Sequence, residues 1–309
     1  MTTPPHEITV DAAVIGGGAA GLAGATTLAR ARLSVTVVDG GAPRNAPARG
    51  VHSFLTRDGM PPADLIRVGH EQLAAYGAQI LDDAAVRTAR DGDDILVTLA
   101  SGTVVRARRL LVASGVIDRL PDVPGLREHW GTGVVHCPFC HGWEVREQPI
   151  AILATDGALA AHAGRLWRRW TDDVTVVMHD ADVLSPEQRV TLEAAGAQIV
   201  AGPALAIESD GDGVSGVRTP AGIVSCTAVV TPTFTEASVE FLAGLGLTPE
   251  PFEAMGTVMG TYLPTGPAGA TTVPGIWAAG NVADLAAQVI NAAAAGNQAA
   301  AAMVFSFAG

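Results

Sequence analysis

Apolar residues along this chain come in short blocks broken by glycine and proline, and the first forty residues set the pattern. ITVDAAVIG (8–16) is an apolar run of strand length. GGGAAG (16–21) is a tight turn, LAGATTLARAR (22–32) an alanine-rich helix, and SVTVVDG (34–40) a β-branched second strand. PPADLIRVGHEQLAAYGA (61–78) predicts a proline-opened helix. DILVTLA (94–100) and TVVRARRLLVASG (103–115) predict strands, and RLPDVPG (119–125) a proline-punctuated connection. A second βαβ start follows: PIAILAT (149–155) as strand, GALAAHAGRLWRRW (157–170) as helix, DVTVVMH (173–179) as strand. The chain closes with VPGIWAAGNVADLAAQVINAAAAG (273–296), read as strand, glycine turn and long helix. Two βαβ starts predict two dinucleotide-type units.

The first of them carries a fingerprint. Gly16, Gly18 and Gly21 form GxGxxG between strand and helix, and Asp39 ends the second strand. Such glycines permit the turn, the approach of a pyrophosphate and close helix packing. The helix N-terminus offers N–H donors, and the acid can accept from a ribose hydroxyl.

Composition narrows the class. Of 309 residues, 48% are hydrophobic and 16% charged, which is globular and long enough for two cores. A net charge of −12, with arginine as the only strong base, argues against nucleic-acid and anionic-membrane surfaces. Gln288, Asn291, Asn297 and Gln298 interrupt the apolar C-terminal stretch, so a helix buried in protein is expected, not a membrane span. No secretory leader is expected at the N-terminus, and three cysteines without a disulfide framework fit a cytoplasmic protein.

HCPFCHGWE (136–144) is the densest chemistry in the chain. Taken alone, it is open to three readings: a metal site, a structural disulfide or a redox pair. A zinc site needs a distant second ligand pair, and only Cys226 and scattered histidines remain; Cys226, in the strand-like VSCTAVVTP, reads as a small core residue. Cys137 and Cys140 are spaced for thiol–disulfide exchange, and neutral histidine suits deprotonation of a substrate thiol. His141 is the first candidate base and His136 the second, with Glu144 as a carboxylate partner that could orient one of them. Phe139 and Trp143 read as an apolar wall.

These pieces, in this order, resemble the thioredoxin-reductase-like flavoproteins over essentially the whole chain. The residues that carry the resemblance are GGGAAG with Asp39, VASG (112–115), CPFC (137–140), and GIWAAGNVAD (275–284) with AQV (287–289). The resemblance implies an α/β fold of two Rossmann-like, three-layer domains. An FAD-binding domain (1–117 and 235–309) would flank an inserted CxxC-bearing domain (118–234), and the protein would be a homodimer. It assigns Gly16, Gly18, Ala19, Ala20, Gly21, Asp39 and Gly40 to the ADP half of FAD. Arg44, Asn45, Ser114 and Gly115 would also touch the cofactor. Gly280 and Asn281 would meet its ribityl-pyrophosphate region, and Gln288 and Val289 would lie near the isoalloxazine. Asn281 stands where the family usually has aspartate; it keeps an acceptor and adds donors.

The inserted unit departs further. ATDGALA (154–160) places Asp156 where a nucleotide-binding turn needs glycine, so a carboxylate faces the expected pyrophosphate. MHDADV (178–183) places Asp180 and Asp182 where relatives carry arginines for a 2′-phosphate. CPFCHGWE with this loss resembles the dithiol oxidases of gliotoxin and holomycin biosynthesis. That likeness implies a small-molecule dithiol as substrate and oxygen as acceptor, with hydrogen peroxide formed and no nucleic-acid or membrane partner. Cys137 would be the exchange sulfur and Cys140 the flavin-side sulfur. A disulfide reductase fed by ferredoxin or NAD(P)H is the competing reading, and a flavin-binding sensor without turnover the third.

Overall fold

A computed structural model describes residues 6–180, 184–211 and 213–308. Asp182 lies outside the described residues, so of the two expected anions only Asp180 is placed.

In order, the chain forms β1 (Glu7–Ile15), α1 (Ala19–Arg30), β2 (Val35–Asp39), α2 (Pro62–Ala74), β3 (Gln79–Asp82), β4 (Ala85–Asp91), β5 (Asp94–Leu99), β6 (Val104–Val112) and β7 (Val116–Arg119). Next come β8 (Val134–Val135), α3 (Pro138–His141), β9 (Ile150–Leu153), α4 (Gly157–Trp167), β10 (Val174–Val177), α5 (Pro186–Ala194) and β11 (Gln198–Val200). The rest holds β12 (Ala206–Asp210), β13 (Gly213–Thr219), β14 (Gly222–Ser225), β15 (Ala228–Val230), β16 (Phe234–Ala237), β17 (Glu250–Ala254), β18 (Thr257–Tyr262), β19 (Ile276–Ala278) and α6 (Val289–Phe305).

β1 pairs in parallel with β2 and β6, so its apolar run is buried on both faces. Ala13 and Ile15 point into one core; Ala12 and Val14 point into another under α1 and α6. One edge of β6 follows β1 throughout. Its other edge changes partner midway: Val104–Ala107 pairs antiparallel with β5, and Leu110–Val112 pairs parallel with β19. One strand thus joins the parallel sheet β3-β2-β1-β6-β19 to the meander β4-β5-β6. Helices α1 and α6 cross at two glycines. A Cβ on Gly296 would lie 2.0 Å from the Ala20 carbonyl oxygen, so only glycine allows this approach. Among the described residues no helix is long and apolar enough to cross a membrane.

The second parallel sheet runs β11-β10-β9-β15-β8 and buries Trp167 of α4 beside Ile150, Ile152 and Val176. The antiparallel ribbon β12-β13-β14 packs on its other side, where Cys226 sits 2% exposed in the core. VSCTAVVTP is not one strand: Cys226 falls in the break between β14 and β15. Burial pushes its thiol up to about 12. The chain enters this sheet after β7 and returns through β16, and these two connectors pair antiparallel within the four-stranded sheet β17-β18-β16-β7.

Candidate active site

A cavity of about 710 Å³ runs from the C-terminal end of β1 to the cysteine pair and on to α4 and the β17–β18 hairpin. Every sequence-predicted site residue lines it except Gly21, Gly40 and Glu144. At one end, Gly16 has φ +103°, and a Cβ there would stand 2.3 Å from the Ala113 carbonyl oxygen. Gly21 serves packing: its Cβ would meet the Gly16 carbonyl oxygen at 1.8 Å. Gly18 faces open space and starts α1 without a capping side chain, so the first N–H groups of the helix face the cavity unspent. Asp39 ends β2 beside them, and among the described residues its carboxylate makes no hydrogen bond. An uncapped helix N-terminus next to a free carboxylate fits the diphosphate and ribose of a dinucleotide.

The turn between β19 and α6 is built by Asn281. Its amide nitrogen donates to the carbonyl oxygens of Asp284 at 3.1 Å and Ala287 at 2.9 Å. An aspartate could not donate these bonds, so the departure from the family pattern has a structural use: it orders the loop ahead of Gln288 and Val289.

Cys137 is the N-cap residue of the short helix α3, at the C-terminal end of β8, and its sulfur lies 2.6 Å from that of Cys140. Both are half-buried free thiols. The Cys140 thiol donates to Cys137 and brings it down to about 7 against the opposing effect of burial; the α3 backbone N–H groups and Arg44 assist. Cys140, the donor, is pushed well above the ordinary thiol range.

The two histidines differ in kind. His136 stacks on Trp130, ring centroids 5.4 Å apart, with the Arg44 Nη2 3.4 Å from its Nε2. Its ring is exposed into the cavity yet enclosed by protein. Burial and then the Arg44 guanidinium push it down to about 4, so it is neutral near pH 7 and a weak base. His141 lines the cavity with both ring nitrogens sealed from solvent and without a hydrogen-bond partner. Burial lowers its pKa, and the nearby Glu144 carboxylate partly offsets this. His141 lies next to Cys140 on α3 with its ring near the Cys137 and Gly131 backbone, whereas His136 is held between Trp130 and Arg44.

Two placements differ from the sequence expectations, and a third adds to one. Glu144 bonds neither predicted histidine; its Oε1 stands 3.4 Å from His52 Nε2, while His52 Nδ1 faces Asp58 at 3.6 Å. Trp143 is 65% exposed and lies under Arg146 outside the cavity, whereas Phe139 does line it. Arg44 lines the cavity, but its guanidinium is forked onto Asp118, with Nε and Nη2 each 2.7 Å from a carboxylate oxygen. Burial alone would raise the Asp118 carboxyl; Arg44, His136 and the Thr233 hydroxyl hold it below the ordinary range. His52, Asp118 and Thr233 belong to the site's surroundings and carry no sequence motif. Among the described residues no three His, Cys, Asp or Glu side chains gather as a metal-ligand set.

At the far end, α4 begins where a second nucleotide turn is expected. Asp156 is its N-cap residue and accepts from the Leu159 N–H at 2.9 Å through Oδ1. Its other oxygen accepts from the Thr257 hydroxyl at 2.7 Å. Burial opposes the charge, but these donors hold the carboxyl below its ordinary value. The anion site at this helix end is filled by the chain itself.

The family model described as pyridine nucleotide-disulphide oxidoreductase matches residues 10–296. Among curated relatives, "Thioredoxin reductase aclD" of Aspergillus oryzae is 33% identical over 59% of this chain and 61% of its own length. "Thioredoxin reductase sirT" of Leptosphaeria maculans is 32% identical over 54% of this chain and 55% of its own length. The chain thus spans less than two thirds of these curated relatives. A solved structure, "Crystal structure of HlmI", superposes with a TM-score of 0.90 at 36% identity, covering 98% of this chain and 94% of that one.

Proposed function

The chain belongs to the pyridine nucleotide-disulphide oxidoreductase family, as the match over residues 10–296 shows, and from that premise we propose that it is an FAD-dependent dithiol oxidase. Its substrate is a small-molecule dithiol, its product the intramolecular disulfide. Family membership implies a flavin. FAD is the form the site fits, since the uncapped α1 N-terminus and Asp39 suit an ADP group. One observation carries the direction of the reaction. The cysteine end of the cavity is furnished for exchange, while the second nucleotide turn is filled by Asp156.

His141, which lines the cavity beside the pair, takes the proton of a substrate thiol. The thiolate attacks Cys137 Sγ of the oxidised pair, the Cys137–Cys140 bond breaks, and Cys140 leaves with the electron pair. The second substrate thiolate attacks the substrate sulfur bound to Cys137 and expels Cys137. A thiol brought down to about 7 is a good leaving group. The cyclic disulfide departs, and Cys137 and Cys140 hold two electrons. An FAD held at the α1 N-terminus and Asp39 would supply the two-electron acceptor for the reduced pair, with oxygen as the final acceptor and hydrogen peroxide as its product. The division into 1–117 with 235–309 and an inserted 118–234, and a homodimeric assembly, belong to the same proposal.

The names of the curated relatives favour a second reading, a disulfide reductase fed by ferredoxin or NAD(P)H. Oxygen uptake separates the two. Purified holoenzyme with dithiothreitol in air is expected to consume oxygen and release equimolar peroxide. Absence of both with every small dithiol tried removes the oxidase reading.

A further inference from the structure

Helix α4 is tied at its N-terminus to a different sheet. Asp156 caps the helix with Oδ1 and accepts with Oδ2 from Thr257 Oγ1, the first residue of β18. The β17–β18 hairpin belongs to the four-stranded sheet that also holds β7 and β16, the two connectors to the five-stranded sheet. Met255 and Gly256 form its two-residue turn, both with positive φ, +54° and +81°. That is the signature of a primed hairpin turn, and a methionine there is a strained choice. The turn sets the Ala254–Thr257 pair at the hairpin tip, against α4. Phe252, Met255 and Met259 from the hairpin wall the same cavity as Cys137 and Cys140, together with Leu159 and Ala163 from α4.

A phosphate at a helix N-terminus comes and goes with its ligand. A carboxylate carried by the chain has a second oxygen, and here that oxygen holds a neighbouring sheet. We propose that Asp156 and Thr257 are positioning residues whose hydrogen bond latches the cysteine-bearing sheet onto the hairpin, keeping Cys137 and Cys140 at the flavin cavity. The placing of the flavin rests on the dithiol-oxidase reading; the latch is a property of the protein alone. The carboxylate that closes the second nucleotide turn thereby also holds the sheets in register.

Two variants of the holoenzyme test this. Thr257→Val keeps the shape and removes the donor, and Thr257→Ser restores it. Hydrogen–deuterium exchange at residues 157–160 and 254–258 reads the latch. Anaerobic bleaching of the flavin by dithiothreitol reads positioning. Thr257→Val is expected to speed exchange at both segments and slow bleaching about tenfold, roughly what one hydrogen bond to a charged group supplies, with flavin content unchanged. Thr257→Ser is expected to match the parent in both. Unchanged exchange in Thr257→Val overturns the latch; faster exchange with unchanged bleaching overturns its positioning role. If no small dithiol bleaches even the parent flavin, the oxidase reading falls, and the exchange data still decide whether the latch exists.

Discussion

Two βαβ turns of this chain open on one cavity and use the same helix-end electrostatics in opposite ways. At the first, Gly18 starts α1 without a capping side chain, and Asp39 beside it makes no hydrogen bond among the described residues, so the partial positive charge of the helix is left for a ligand. At the second, Asp156 caps α4 from within the chain and is itself held by Thr257, so the same charge is already spent. The strands around the two turns are alike: β1 and β2 pair in parallel, as do β9 and β10. A carboxylate at the turn thus fills one helix end that the other turn leaves open, and the fold need not change.

The largest expected effect lies at the cysteines. Cys140→Ser should lower dithiol-driven flavin reduction by about a thousandfold or more while flavin stays bound, because no second sulfur remains to leave. At the open turn, Gly21→Ala places a methyl against the Gly16 carbonyl and should cost about 1–3 kcal/mol, read as a lower thermal midpoint with loss of bound flavin. A variant that keeps both would show that the close approach is not needed there.

His141→Asn should reduce dithiol kcat/KM by about a hundredfold, the usual worth of a positioned base. His136→Asn should cost far less, since that ring is already neutral and weakly basic. The reverse ranking, measured by steady-state kinetics, would exchange their roles. In the reduced protein, Cys137 alkylation by iodoacetamide should rise through about pH 7 and level above it, because the thiolate is the reactive form and its pKa is lowered. A rise centred near the ordinary thiol value of 9.0 would contradict the Cys140-to-Cys137 hydrogen bond. Asp156→Gly sharpens the comparison from the closed side. It should slow dithiol-driven bleaching as Thr257→Val does, yet leave NADPH ineffective, since MHDADV still lacks arginines for a 2′-phosphate.

Much of this was legible in the sequence because it is local. Strand, glycine turn, helix and terminal acid sit within about forty residues at the first turn, and hydrophobic periodicity reports such neighbours directly. The same holds for β9 with α4 and for β19 with α6. What escaped depends on contacts between distant segments. Arg44 meets Asp118 74 residues away, and Thr257 meets Asp156 101 residues away. His52 reaches Glu144 across a similar gap, from a loop with no motif of its own. In the sequence Asp156 is an obstacle to phosphate; that it also caps α4 and anchors Thr257 is visible only in the folded chain. Glu144 shows the converse, a carboxylate three residues from His141 that turns to a histidine from another segment.

The most direct test of the contrast between the turns is anaerobic stopped-flow reduction of the bound flavin by NADPH, NADH and dithiothreitol, each in separate mixes. Rapid bleaching by the dithiol with neither nucleotide effective is the expected result. Rapid bleaching by NADPH or NADH would contradict it, because a nucleotide would then be using the turn that Asp156 fills.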